Sequence, residues 1–154
     1  MTSDNPVLLA YDASDGATRA IAVAGELLGP RRALILHVWE SWESEAPALA
    51  GASATVQGIA AQLDEVADEQ SEAHAADGAQ LAARAGLDAE GLSEEASGPI
   101  WKTILDVADR NQCGAIVVGS RGLTGFSAAL GSVSDGVVHH SHRPVLVVPD
   151  EEER

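Results

Sequence analysis

A chain of 154 residues is long enough to bury a sizeable core as one domain, and nine Lys and Arg against 24 Asp and Glu leave it a formal net charge of -15. A field of that sign repels phosphate backbones and anionic head groups, so neither nucleic acid nor membrane is an expected partner, and an anion site must be built locally from backbone N–H groups, an Arg or a divalent cation. The lone cysteine, Cys113, allows no internal disulfide, and no apolar run is long enough to cross a bilayer, so the expectation is a cytoplasmic protein.

In chain order, Val7 to Tyr11 is a short apolar run that leads into Asp12, Ser14, Asp15 and Gly16, which reads as a strand followed by a helix start. Ala17, Ala20, Ile21, Ala24, Leu27 and Leu28 then recur at three- and four-residue spacing until Gly29-Pro30 ends the helix. Ala33 to Trp39 is apolar on both faces apart from His37, as expected of a parallel strand covered by helices. Glu40 to Thr55 has no period and reads as a loop able to serve as a flap. From Val56, the residues Ile59, Ala60, Leu63, Val66, Ala67 and Gln70 trace a helical stripe with acids on the other face, predicting a long helix to about Arg84 with a bend at Gly78. Glu90 to Ala96 alternates weakly, and its acids predict an edge strand. Pro99 suits the first turn of a third helix, whose buried stripe is Ile100, Ile104, Val107 and Ala108. Ala115 to Gly119 reads as a fourth strand, Ser120 to Leu130 as a glycine-containing loop, Ser132 as the cap of a fourth helix to about Ser141, and Pro144 to Val148 as a fifth strand. Five strands alternating with four helices describe one three-layer, doubly wound α/β domain over residues 1–149, with 150–154 as an acidic tail.

The fourth strand delivers Gly119, Arg121 and Gly122 at its carboxyl end, and Gly131, Ser132, Val133 and Ser134 open the next helix; open α/β sheets bind ligands at such a place. Glycines at 119, 122 and 131 let backbone approach an anion, while helix-start amides and the Ser132 and Ser134 hydroxyls can donate to phosphate oxygens. Taken alone, the same residues fit an ordinary turn with Ser132 as an N-cap equally well. No residue set reads as nucleophile plus base, and the loop lacks the Lys of a P-loop, so binding outweighs turnover. His139, His140 and His142 cluster near a helix end where the dipole favours cations. Neighbours there point about 100° apart, with no cysteine or acid to complete a tetrahedral set, so no metal site is expected.

Gly119-x2-Gly122 followed by Gly131-Ser132 resembles the ATP-binding signature of universal stress proteins, G-x2-G-x9-G-[ST], with Leu123 to Leu130 one residue shorter than that pattern. The strand ending in Asp12 and the segment from Gly131 to Val148 are similar to the family's first strand and C-terminal pattern. The resemblance implies a five-stranded parallel sheet of order 3-2-1-4-5, of the adenine nucleotide alpha hydrolase-like kind. It implies that Asp12 binds ribose hydroxyls and that Ala10, Tyr11 and Val38 border adenine, although Val38 also reads as a core strand residue. It places Gly119, Arg121, Gly122, Gly131, Ser132, Val133 and Ser134 around the phosphates of ATP, with Mg2+ or Mn2+. It further implies a homodimer through the fifth strand, regulatory protein partners of unknown kind, and a nucleotide-dependent role in the stress response. Two alternatives are an interaction protein that binds no nucleotide and works through its dimer surface, and a slow ATP hydrolase of related fold.

Overall fold

Strand β1, Val7–Ala10, is apolar at every position because it lies in the middle of the sheet. It pairs on one side with β2, Arg32–Trp39, and on the other with β4, Ala115–Gly119, so that Leu9 stands beside Ile35 and Val117. Strand β3, Asp88–Glu95, pairs with β2, and β5, Val145–Val148, pairs with β4; every pairing is parallel and the order is β3-β2-β1-β4-β5. The structure, a computed structural model, describes residues 4–45, 53–121 and 130–151. No helix among the described residues is long and apolar enough to cross a membrane.

Alternation along the strands sends residues to opposite faces and so makes two cores. Val7, Leu9, Tyr11, Ile35 and Val117 pack under α1, Asp15–Leu28, and α3, Ala54–Arg84. Leu8, Leu34, Leu36, Ile116 and Val118 pack under α4, Ile100–Arg110, and α5, Ser132–His140. The three interior strands, β2, β1 and β4, carry bulk on both faces, which is why their runs are continuously apolar.

The predicted strands and helices are all present, with four differences, and residues 122–129 of the predicted glycine-containing loop lie outside the described residues. A short helix α2, Trp42–Glu45, forms inside the expected loop from Glu40 to Thr55, tied down by Asp64 of α3, which accepts the Ser41 hydroxyl at 2.6 Å and the Trp42 amide at 2.7 Å. Residues 46–52 of that loop lie outside the described residues. Helix α3 does not bury the stripe of its large residues: its buried line is Ala60, Ser71, Ala75, Gly78 and Ala82. It also runs unbroken through Gly78, where a Cβ would stand 2.7 Å from Ile35 Cγ2 and 2.8 Å from Tyr11 Cδ1, so the glycine serves close packing rather than a bend. Finally, Gly131 is the N-cap of α5 and Ser132 is its first helical residue, correcting the expectation of a Ser132 cap.

Edge strand β3 begins at Asp88 and exposes Asp88, Glu90 and Glu95 to solvent, while Glu94 pairs with Arg110 at 2.6 Å. Beneath α3 a polar group is folded into the interface: Ser71 Oγ lies 2.8 Å from His37 Nδ1 and accepts the Ser93 hydroxyl at 2.7 Å. The His74 ring lies 5.0 Å from that of His37. Burial pushes the His37 pKa down, His74 adds to this, and Asp12 opposes it.

Candidate functional site

The chain leaves β1 through a tight turn set by its own polar residues. Asp12 Oδ1 accepts the Ser14 amide at 3.0 Å, Ala13 takes the left-handed conformation at φ 63°, and Ser14 Oγ accepts the Ala17 amide at 3.1 Å, capping α1. Asp12 is thereby held, half-buried, at the carboxyl end of the central strand. The strand order reverses between β1 and β4, and this is the switch point at which open α/β sheets leave a crevice.

Across that crevice, a Cβ on Gly119 would sit 3.2 Å from the Gly16 carbonyl group, a tight contact that glycine avoids where the end of β4 passes the first turn of α1. The Gly131 amide donates to the Ser120 carbonyl at 2.8 Å, fixing where the chain returns from the loop. The buried Ser134 hydroxyl lies 2.9 Å from the Ser120 carbonyl and 3.0 Å from that of Gly131. Its hydrogen is committed to these two scaffold carbonyls. The amides of Ser132, Val133 and Ser134 are those a helix leaves without an intrahelical acceptor, at its positive end.

These elements enclose a cavity of about 450 Å³. Ala10, Asp12 and Val38 line one side; Gly119, Arg121, Gly131, Ser132, Val133 and Ser134 line the other. Tyr11 also borders it, but its ring packs in the opposite core against Gly78. Gly122 lies outside the described residues. The cavity further takes in Leu36, Glu40, Ile100, Ile104 and Val118, which the sequence reading did not assign to a site. Leu36, Val38 and Glu40 share a face by the two-residue period of a strand, so placing Val38 at the site was enough to place its neighbours. Ile100 and Ile104, expected in the core from their helical stripe, are at once core and wall.

The acidic tail returns to this site. Arg121 Nε lies 3.1 Å from Asp150 Oδ2, with both side chains about 30% exposed. The other oxygen, Oδ1, sits 2.8 Å from where a Gly16 Cβ would be, against the first turn of α1, where the helix dipole favours a carboxylate. Arg19 holds the strap by donating to the Pro149 carbonyl at 3.1 Å and to Glu151 at 2.6 Å. At the far end of α5, His139 and His140 Nδ1 lie 2.9 Å from the carbonyls of Asp135 and Gly136, and His140 stacks on Trp101 at 4.1 Å. Among the described residues, no three His, Cys, Asp or Glu gather as a metal-binding group.

Residues 5–149 match the model of the universal stress protein family. A universal stress protein of Synechocystis sp. is 44% identical over 64 residues, a stretch that is 41% of this chain and 59% of that relative's length. Among solved structures, hypothetical protein MJ0577 superposes with a TM-score of 0.79 at 21% identity, covering 99% of this chain and 100% of the other. A universal stress protein from Archaeoglobus fulgidus in complex with dAMP superposes with a TM-score of 0.63 at 21% identity, covering 96% and 99%. The sheet order, the crevice between β1 and β4 and the match over residues 5–149 agree: the chain belongs to the universal stress protein family.

Proposed function

We propose that this chain binds an adenine nucleotide, ATP with Mg2+ or Mn2+, in the cavity between β1 and β4, and works in the cytoplasm as a nucleotide-dependent stress regulator, a homodimer paired through β5. The observation that carries the reading is the polarity of the cavity. A carboxylate, Asp12, stands on one side; Arg121 and the amide end of α5 stand on the other; Ala10, Leu36 and Val38 supply an apolar wall. Paired ribose hydroxyls suit the first, phosphate oxygens the second and a purine face the third. The dAMP bound by the Archaeoglobus relative of the same fold supports the class of ligand. In the dimer, β5 would satisfy an apolar edge that otherwise stays unpaired.

Asp150 has a consequence for this binding. A phosphate arriving at Arg121 competes with a carboxylate already beside it, so the tail sets an opposing term that a divalent cation on the nucleotide relieves. Calorimetry with Mg-ATP tests the reading. Asp12→Ala should weaken binding at least about tenfold, through loss of a charged acceptor, while Asp150→Asn should tighten it by freeing Arg121. Absence of saturable heat from ATP or AMP, with or without the cation, would leave the second reading: an interaction protein that binds no nucleotide. That reading is favoured by the shortened loop and by the engagement of Arg121 with the tail.

A further inference from the structure

Helix α3 turns its large apolar side chains away from the sheet. Val56 is 37% exposed, Ile59 52%, Leu63 42% and Val66 50%, while the buried line of the same helix is made of small residues. The exposed set repeats at spacings of three, four and three residues, the seam pattern of a helix that pairs with another helix. At 3.6 residues per turn it lies roughly 100° around the helix from the buried line, so the two faces do not compete. Beside it, Asp64 anchors α2, whose Trp42 is 57% exposed.

The surroundings of the seam carry one sign of charge. Glu65, Asp68, Glu69, Glu72 and Asp77 are all exposed on α3, Glu43 is exposed on α2, and α3 has no Lys or Arg before Arg84. A second copy would bring its own carboxylates against these, and anionic lipid would be repelled in the same way. A helix with apolar residues at seam spacing and Lys or Arg on its flanks meets both requirements, apolar contact along the centre and opposite charge at the rim. We infer that the N-terminal half of α3 is a docking seam for a basic amphipathic helix of another protein. Helix α3 as a whole packs on β2 and β3, at the opposite end of the sheet from β5, so its exposed seam remains open in an assembly formed through β5.

The probe is a labelled synthetic helix of about 21 residues with Leu and Ile at its seam positions and Lys at the flanking ones, whose like charges keep it from pairing with itself. Titrated with the full chain at about 0.15 M salt, it should bind saturably at one peptide per chain. Leu63→Ser with Val66→Ser should weaken that binding at least about tenfold while near-ultraviolet circular dichroism stays that of the parent. Glu65→Gln with Glu69→Gln should weaken it by a few-fold and flatten its salt dependence. Failure of the parent to saturate overturns the proposal, as does equal binding by the Leu63 and Val66 double variant, which would mean diffuse charge attraction alone. Sedimentation that shows the chain associating with itself, and losing that association in the same double variant, assigns the seam to a second copy and overturns it too.

Discussion

From Ser71 onward, α3 meets the sheet through Ser71, Ala75, Gly78 and Ala82, whereas between Ala54 and Gln70 the same helix points Val56, Ile59, Leu63 and Val66 into solvent. The difference shows that bulk does not decide which way this helix faces. The sheet beneath the C-terminal half already supplies it, in Ile35 and the Tyr11 ring, and the helix contributes the hollows that let backbone approach. Gly91 of β3 makes the reciprocal concession, since a Cβ there would stand 2.6 Å from the Ala75 carbonyl oxygen. The N-terminal half meets the rest of the chain chiefly through Asp64 and α2, and its apolar residues have no counterpart within the described residues.

Filling a hollow under the C-terminal half of α3 has the largest expected effect. Gly78→Val drives new methyl groups onto Ile35 and Tyr11 and should destabilise the fold by about 3 kcal/mol, read from urea unfolding. A loss under about 0.5 kcal/mol would mean that the two layers slide apart cheaply and that close approach is not needed there. Next, Ser71→Ala removes the oxygen that accepts the Ser93 hydroxyl and faces His37, at a cost of about 2 kcal/mol. An unchanged melting temperature would show that Ser93 and His37 find other partners without strain.

A narrower effect belongs to His37. Burial and the neighbouring His74 hold its pKa below the ordinary 6.5, against the pull of Asp12, so the unfolded chain takes up the proton more readily. The stability contributed by neutral His37 is therefore present above pH 6.5 and is lost as the pH falls from 6.5 through its folded pKa. His37→Gln should flatten that part of the stability profile, and an acid slope identical to the parent's would place the titration elsewhere. Smallest of all, Leu63→Ser should change stability by about 1 kcal/mol or less, because its side chain is only partly covered. A loss above about 2 kcal/mol would show Leu63 buried in the folded state and remove the contrast between the halves.

Strands β1, β2 and β4 are legible because buried parallel strands read as short unbroken apolar runs, and punctuation by Asp12 and Gly119 marks the ends of β1 and β4. Periodicity carries no neighbour information, so the strand order came from family resemblance rather than from pattern. The inward line of α3 was not legible, because a stripe of Ser, Ala and Gly carries little hydrophobic signal and Ile59, Leu63 and Val66 carry much. The partnership of Asp150 with Arg121 is not legible for a different reason: it spans 29 positions of chain, and no local rule predicts a partner at that distance. Ser132 was displaced by one residue because Gly131 can cap a helix through its backbone alone.

The two rims of the sheet differ in what they can recruit. Along β3 the side chains of Asp88, Glu90 and Glu95 surround the outer hydrogen-bonding row with negative charge, a guard against strand addition, whereas the outer row of β5 belongs to Val145, Leu146, Val147 and Val148. In the assembly proposed through β5, copies joined by a two-fold axis would use up that rim at once, so growth would end at a closed pair instead of running on into a ribbon.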